Sequence, residues 1–541
     1  MKKIAVLLCG IILLMSNAFA GGILTNTNQS AQFVRMLSRN ASIDLDAVYF
    51  NPAGLTQMEN GFYFALNNQS IFQNRTITND FALLKNHEFK GETKVPAFPS
   101  AFAVYKLDRW AFSAGFGPNA GGGTAKYNKG LPSFEMPVSV IPKSLVANGI
   151  PTTDYSSAIS FEGSSVFWGI QLNGTYEVNK ILSVSLGARM INAKNTYSGY
   201  LKDIKINPNY PAFGASYTGG LVSATQFFAD GNTFLKGLSA SAAASAAALA
   251  PAVSGGAGSV LLTNGGSIGL SAAQIAGIQQ LLGAAGMTPA QIGGTTLAVA
   301  AGTLNAAAPV FAGKALAMGA NSAATADQNV DAEQTGIGFT PIIGVDIHLD
   351  KFNWGIKYEH KTILGLTNKN NKSTTEDRTG KFPDGQKIHN DIPAILASGL
   401  DYQVTDKLKA SGSFNLYFDK NVDWGMNGTK KRAIDKNYKE LSLGLEYKLT
   451  DNFALSAGYL NSNTGVSKDY QSDFSYSNDS YTLGLGFQWK LNKKLVLDAG
   501  ALKTTYKDDT KTITDPTYGT YHETYAKDNI AFAIGLAYKI L

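Results

Sequence analysis

The chain has one cysteine, Cys9, among its 541 residues. From Gly21 onward there is none, so neither a disulfide framework nor a thiolate metal site can hold the fold. Charge is scarce too: 16% of residues are Asp, Glu, Lys or Arg, against roughly a quarter in an average soluble domain. Past the first twenty residues we find no run of about 20 apolar residues, which argues against membrane-spanning helices. The five histidines, His87, His348, His360, His389 and His522, lack paired metal spacing. No phosphate loop is present. The net charge of +6 is modest and not gathered into a cluster, so no nucleic-acid partner is expected. No metal and no cofactor are expected either.

What is present begins with an export signal over residues 1–20. Lys2 and Lys3 precede an apolar run from Ile4 to Met15, and Ala18-Phe19-Ala20 has the small-x-small pattern of a cleavage site. Cys9 does not read as a lipoprotein cysteine, because Leu8 precedes it and the apolar run continues past it.

The rest of the chain alternates. Leu441, Leu443, Leu445, Tyr447 and Leu449 alternate with Ser442, Gly444, Glu446 and Lys448. Ile530 to Ile540 does the same. Period two gives each strand one apolar face and one small or polar face. Six short polar turns share one design: residues 105–110, 176–181, 347–352, 402–408, 447–453 and 489–495. Each holds Asn or Asp, which tolerate the backbone angles of tight hairpins. Six turns join twelve strands; a first strand near 61–75 and a last near 530–541 make fourteen. The opposite connections are long, at about 74–96, 118–163, 200–334, 362–391, 420–437, 461–479 and 507–528. The expected fold is all-β: a 14-stranded antiparallel transmembrane barrel over residues 58–541, with short turns and both termini periplasmic. Gly535, Tyr538 and Ile540 in the last strand resemble the signal read by barrel-assembly machinery.

Residues 21–57 do not alternate. Ser30–Leu37 has the makings of a short helix, and so short a segment has no core of its own. It is expected to plug the lumen, which in a 14-stranded barrel is wide. Asp44, Asp46, Ala47 and Asn51-Pro52-Ala53-Gly54-Leu55 resemble the FadL/TodX family of outer-membrane transporters for long-chain fatty acids and other hydrophobic compounds. The resemblance implies an N-terminal hatch with Asn51, Pro52, Ala53 and Gly54 as gate. It also implies passive uptake, a hatch movement, and a lateral opening toward outer-membrane lipid at a kinked early strand. Gly115, Gly117 and Pro118, where the third strand runs into a Gly-rich stretch, are candidates for that opening. An alkyl chain prefers lipid to water by about 0.8 kcal/mol per methylene, so a sideways exit makes physical sense.

Arg189 and Lys357 are expected to face the lumen, either as contacts for a carboxylate head group or, preferably, within an internal salt-bridge network. An insertion at about 204–333 is rich in Ala, Gly and Ser and carries one charge, Lys314, between Gly237 and Ala326. Ser271–Gln274 and Thr288–Gln291 read as capping boxes, and the insertion reads equally as an extracellular apolar helical cover or as a disordered loop. Gly265-Gly-Ser-Ile-Gly269 matches a nucleophile elbow, but lacks nearby His and acid partners. The expected activity is thus a channel and not an enzyme, with a plugged general porin or an outer-membrane lipid hydrolase as alternatives.

Overall fold

The structure is a computed structural model; it describes residue 25 and residues 29–373, 380, 382–423, 426–427, 430–431 and 433–540. The export signal lies outside the described residues.

Fourteen strands form the barrel. In chain order they are β1 (Gly61–Asn79), β2 (Glu88–Leu107), β3 (Trp110–Tyr127), β4 (Tyr155–Glu177), β5 (Leu182–Ile206), β6 (Gln328–Leu349) and β7 (Phe352–Glu359). There follow β8 (Ile395–Gln403), β9 (Leu408–Tyr417), β10 (Tyr438–Thr450), β11 (Phe453–Asn463), β12 (Ser480–Lys490), β13 (Leu495–Tyr506) and β14 (Gly519–Lys539). Each pairs antiparallel with the next, and β14 returns to β1, Tyr63 opposite Lys539 and Thr78 opposite Thr524. Closure leaves no unpaired sheet edge, which hydrocarbon demands.

The faces are inverted relative to a soluble protein. Leu441, Leu443, Leu445, Leu483, Leu485, Ile534 and Leu536 point outward and are exposed. Ser442, Glu446, Ser456, Thr482 and Asp498 point inward and are buried. A soluble sandwich hides its apolar face; this chain displays it, as only a lipid-facing barrel does.

All six tight turns lie where the sequence places them. The connections expected at about 74–96, 118–163, 200–334 and 507–528 are shorter than the sequence suggests, because β1 to β6 and β14 run 18 to 25 residues, about twice the 9–11 a bilayer requires. Residues 74–96 shrink to 80–87, and β3 continues to Tyr127 rather than ending near Gly117. The extra length is built from Thr, Lys, Asn and Glu, so it pairs in the ladder without the apolar alternation that marks a strand in sequence. The insertion likewise narrows to 207–327.

Most of that insertion belongs to a second compact unit, residues 137–158 and 202–327 among those described. Its core is a hairpin of two long helices, Ala224–Ser254 and Leu297–Ala324. Alanine is the best helix former, and small side chains let the axes approach. The helices run antiparallel: Thr225 Oγ1 donates to Thr325 O (2.7 Å), Asn232 Nδ2 to Ala315 O (2.9 Å) and Ser239 Oγ to Ala308 O (2.8 Å). Donors seven residues apart keep one face toward the partner. Both capping boxes form, and Ile278, Leu281 and Leu282 join the hairpin core. By length and composition Ala224–Ser254 is apolar enough to cross a membrane, which corrects the sequence expectation that no such segment exists. Its alanines hide the feature in any search for Leu, Ile and Val.

Residues 29–57 fold inside the barrel as helix α1 (Ala31–Met36), helix α2 (Ala47–Phe50) and a 3-10 turn, Pro52–Gln57. Ser30 caps α1, its Oγ accepting from Phe33 N at 2.9 Å. Inward glycines let this segment touch the wall. A Cβ on Gly458 would lie 2.0 Å from Met36 O, and one on Gly355 would lie 2.2 Å from Asn40 O. Gly458→Val is therefore expected to unseat α1 while the barrel still assembles. Planar-bilayer recordings should show a rise in steady ion conductance over the parent; an unchanged, closed channel would refute this seat.

Candidate functional site: the plugged lumen and the β2–β3 seam

The segment 29–57 carries two fully buried arginines, and their partners fix its pose. Arg35, on α1, reaches three strands. Its Nε donates to Asp498 Oδ1 (2.9 Å) and its Nη1 to Glu446 Oε2 (2.6 Å) and Ser456 Oγ (2.9 Å). Gln32 Nε2 adds a bond to Asp498 Oδ2 at 2.8 Å. Arg39 instead folds the segment on itself. It bonds both Asp46 oxygens (2.8 and 2.7 Å) and Asp44 Oδ2 (2.7 Å). Asp46 also accepts from Ser42 Oγ (2.6 Å) and Ser30 Oγ (3.1 Å). The bidentate geometry is the strong, orientation-specific form of an ion pair.

The candidate gate lies on the next turn. Asn51 Nδ2 donates to Ser42 O (3.1 Å) and, across to β6, to Asp346 Oδ1 (2.7 Å), which also accepts from Asn353 Nδ2 (2.8 Å). Pro52 opens the 3-10 turn, where its missing N–H costs nothing, and its carbonyl accepts from Thr175 Oγ1 at 2.9 Å. Ala53 is completely buried. A Cβ on Gly54 would fall 2.5 Å from Asn51 Nδ2 and 2.7 Å from Ser42 O, so glycine is needed there for close approach. Asn51, Pro52, Ala53 and Gly54 are thus a wall contact.

Arg189 and Lys357 converge on one carboxylate. Arg189 meets Glu359 through two nitrogens (2.6 and 3.0 Å), and Lys357 Nζ lies 2.6 Å from the same group. Arg189 Nε donates to Gln171 Oε1 (2.9 Å) and Lys357 Nζ to Tyr49 O (2.6 Å). Both cations lie over the Tyr49 ring, 4.7 and 4.5 Å from its centroid. The preferred internal network is what these residues form. Two cations against one carboxylate leave it net positive.

Gly115, Gly117 and Pro118 lie on β3 where its ladder to β2 is interrupted. Glu92 pairs with Lys126, and the next pair is Ala101 with Phe116. Between them residues 93–100 of β2 and 117–125 of β3 do not pair with each other. The cause is chemical. Pro96, Pro99 and Pro118 have no N–H to give, and β3 is further bent by bulges against β4 near Pro118 and Gly121. The β2 prolines were the signal that sequence reading passed over. The N-terminal chain lies along this seam: Thr25 bridges Ala120, and Ser100 Oγ donates to Gln29 O at 2.6 Å. A small cavity adjoins it, lined among others by Val48, Tyr49, Phe102, Phe116, Gln171 and Arg189.

Residues 289–540 match the family model described as outer membrane protein transport protein (OMPP1/FadL/TodX). The matched stretch is a little under half of the chain. The fold of the chain is similar to the crystal structure of a Pseudomonas aeruginosa FadL homologue, with a TM-score of 0.56 and 12% identity, covering 96% of this chain and 100% of that one. It is also similar to the Pseudomonas putida toluene transporter TodX, with a TM-score of 0.47 and 12% identity, covering 92% and 94%. No curated protein matches. The outward apolar face of the closed strands makes the chain a membrane-embedded β-barrel. Ser267 sits in a 3-10 turn with its hydroxyl bonded to Asn264 O (2.9 Å), not on a strand-to-helix elbow.

Arg35→Ala would leave Asp498 buried without its cation and Glu446 with Lys409 alone (3.5 Å), a loss of about 3–5 kcal/mol. Hydrogen–deuterium exchange is expected to show residues 31–56 losing protection while the strands keep theirs. Equal protection in parent and variant would show that other contacts hold the segment.

Proposed function

We propose that this chain conducts long-chain fatty acids or other small hydrophobic compounds passively across the bacterial outer membrane, with residues 29–57 as a movable hatch and the β2–β3 seam as a lateral exit into outer-membrane lipid. The observation that carries the reading is the proline-interrupted seam, occupied on its inner side by Thr25 and Gln29 and adjoining a small cavity of mixed polar and apolar lining. The β2–β3 ladder is broken over this stretch, and the chain lying there belongs to the N-terminal end of the hatch segment. Withdrawal of that chain would join cavity to bilayer. In this reading the short turns and both termini are periplasmic, and assembly proceeds through the barrel-assembly machinery. The helical insertion serves on the extracellular side in capture of apolar ligands. A general porin fits less well, since residues 29–57 contact strands around the wall and are almost wholly buried.

Uptake of a labelled long-chain fatty acid by cells lacking their own transporter should depend on expression of this chain; no uptake with the barrel at the surface would point to another ligand. Asn51→Ala, which removes one of two donors to Asp346, is expected to slow uptake without loss of surface protein, and unchanged uptake would deny it a gating role.

The seam has its own test. An ideal Cβ on Gly123 lies 3.9 Å from Val95 Cβ, within the roughly 3.5–4.5 Å a disulfide spans. In Val95→Cys/Gly123→Cys, oxidation should cut uptake about tenfold and reductant should restore it, where tenfold corresponds to ~1.4 kcal/mol. Full uptake in the oxidised, cross-linked protein would exclude the seam as the exit.

A further inference from the structure

Arg75 on β1 and Lys527 on β14 stand directly opposite each other in the β1–β14 ladder. Both face inward: their neighbours Asn74 and Asp528 are on the exposed face. Like charges placed opposite on adjacent strands destabilise a sheet, and a carboxylate between them is the usual remedy. Among the described residues neither side chain has an ion-pair partner. Asp528 is turned to the other face, beside Asn74 Nδ2 (3.2 Å). Glu523 faces inward but lies four residues along the strand, about 13 Å away, and already accepts from Asn79 Nδ2 (2.9 Å) and Tyr525 Oη (2.6 Å).

Aromatic rings stand where a carboxylate would. Arg75 Cζ is 4.6 Å from the Tyr476 ring centroid, and Lys527 Nζ is 4.6 Å from that of Tyr506. The rings offer the cations a negative face, and Tyr476 also hydrogen-bonds Arg75, but neither ring brings a negative charge. Arg75 Nε is shielded from solvent and has no hydrogen-bond partner. The place in the fold is also specific. Arg75 pairs on its other side with Gly91, and Gly91 with Tyr127. Gly91–Tyr127 and Glu92–Lys126 are the last β2–β3 pairs before the interrupted stretch.

The geometry points to a head-group station: Arg75 and Lys527, walled by Tyr476 and Tyr506, bind the carboxylate of an amphipathic acid at the edge of the interrupted seam, and so favour anionic amphiphiles over neutral hydrocarbons. A guanidinium and an ammonium side by side, with a free N–H, match a planar two-oxygen anion. A carboxylate held there sets its tail alongside residues 93–100 and 117–125, the unpaired stretch. The inference rests on the passive-uptake reading above and narrows its substrate class.

Initial uptake of labelled laurate (a twelve-carbon carboxylate) and of labelled toluene, measured below saturation and at equal surface level, tests it. In Arg75→Gln and Lys527→Gln laurate uptake is expected to fall roughly tenfold, the scale of a lost charge-assisted contact, with toluene uptake unchanged. Lys527→Arg should retain most laurate uptake. Laurate uptake equal to the parent in Lys527→Gln, or laurate and toluene falling together, would overturn the station. If Arg75→Gln fails to reach the surface, Lys527→Gln decides alone. A parent protein that admits toluene but not laurate overturns the station and leaves passive uptake standing; one that admits neither overturns both.

Discussion

The anchoring of Arg35 by Asp498 and Glu446 is the interaction on which the rest of this molecule depends. A barrel of fourteen strands in lipid can direct its apolar side chains outward only, so its interior is left polar and wide. Something must fill it, and the apolar cluster of Phe33, Val34, Val48 and Leu55 with Phe102, Val104 and Leu502 holds the filler without fixing its direction. Charge fixes that direction. Arg35 ties α1 to β10, β11 and β13; Arg39 braces the chain that follows; Asn51 meets Asp346 on β6; Tyr49 lies under Arg189 and Lys357. Each contact is directional and each can be exchanged for water. An apolar plug of the same size would be held by area alone, with no fixed register against the wall. A polar one has its register set by directional bonds, as the proposed hatch requires.

The same constraint explains where the wall is weak. Every backbone N–H and C=O in hydrocarbon needs a partner, so a run of proline in neighbouring strands cannot be left bare. Between Glu92 and Ala101 the chain answers with its own N-terminal residues: Thr25 takes a bridge to Ala120 and Gln29 satisfies Ser100. The hatch therefore has two ends with opposite character. One is locked to carboxylates across the barrel, the other lies along the interrupted stretch between β2 and β3.

Much of this was legible in the residues. Tight polar turns between apolar alternations locate the barrel hairpins, because a hairpin's chemistry is local. The internal segment was expected because residues 21–57 do not alternate and because Asn51-Pro52-Ala53-Gly54 carries the family resemblance. What escaped was either non-local or weakly apolar. Asp498 and Glu446 are ordinary inward residues of their strands, and nothing near them in sequence announces an arginine more than 400 residues away. Polar strand extensions pair as well as apolar ones but leave no periodic mark. Pro96 and Pro99 could have been read as the partner of the β3 glycines, and only the register reveals that the two stretches face each other. The long helices escaped because alanine is a strong helix former with a faint hydropathic signature.

A last step concerns how the interior spends its cations. Arg35, Arg39, Arg189 and Lys357 all have carboxylates, and all touch the hatch segment. Arg75 and Lys527 have none and touch none of it, and they stand where the β2–β3 ladder stops. If inward cations existed only to balance a polar lumen, compensation would be expected throughout, since an uncompensated pair on adjacent strands carries a standing cost. The distribution is instead divided by place: paired where the wall must grip its plug, unpaired beside the seam. Such a division is what a conduit for amphiphiles would require, with its fixed charges neutralised against the hatch and its free charges kept for the cargo.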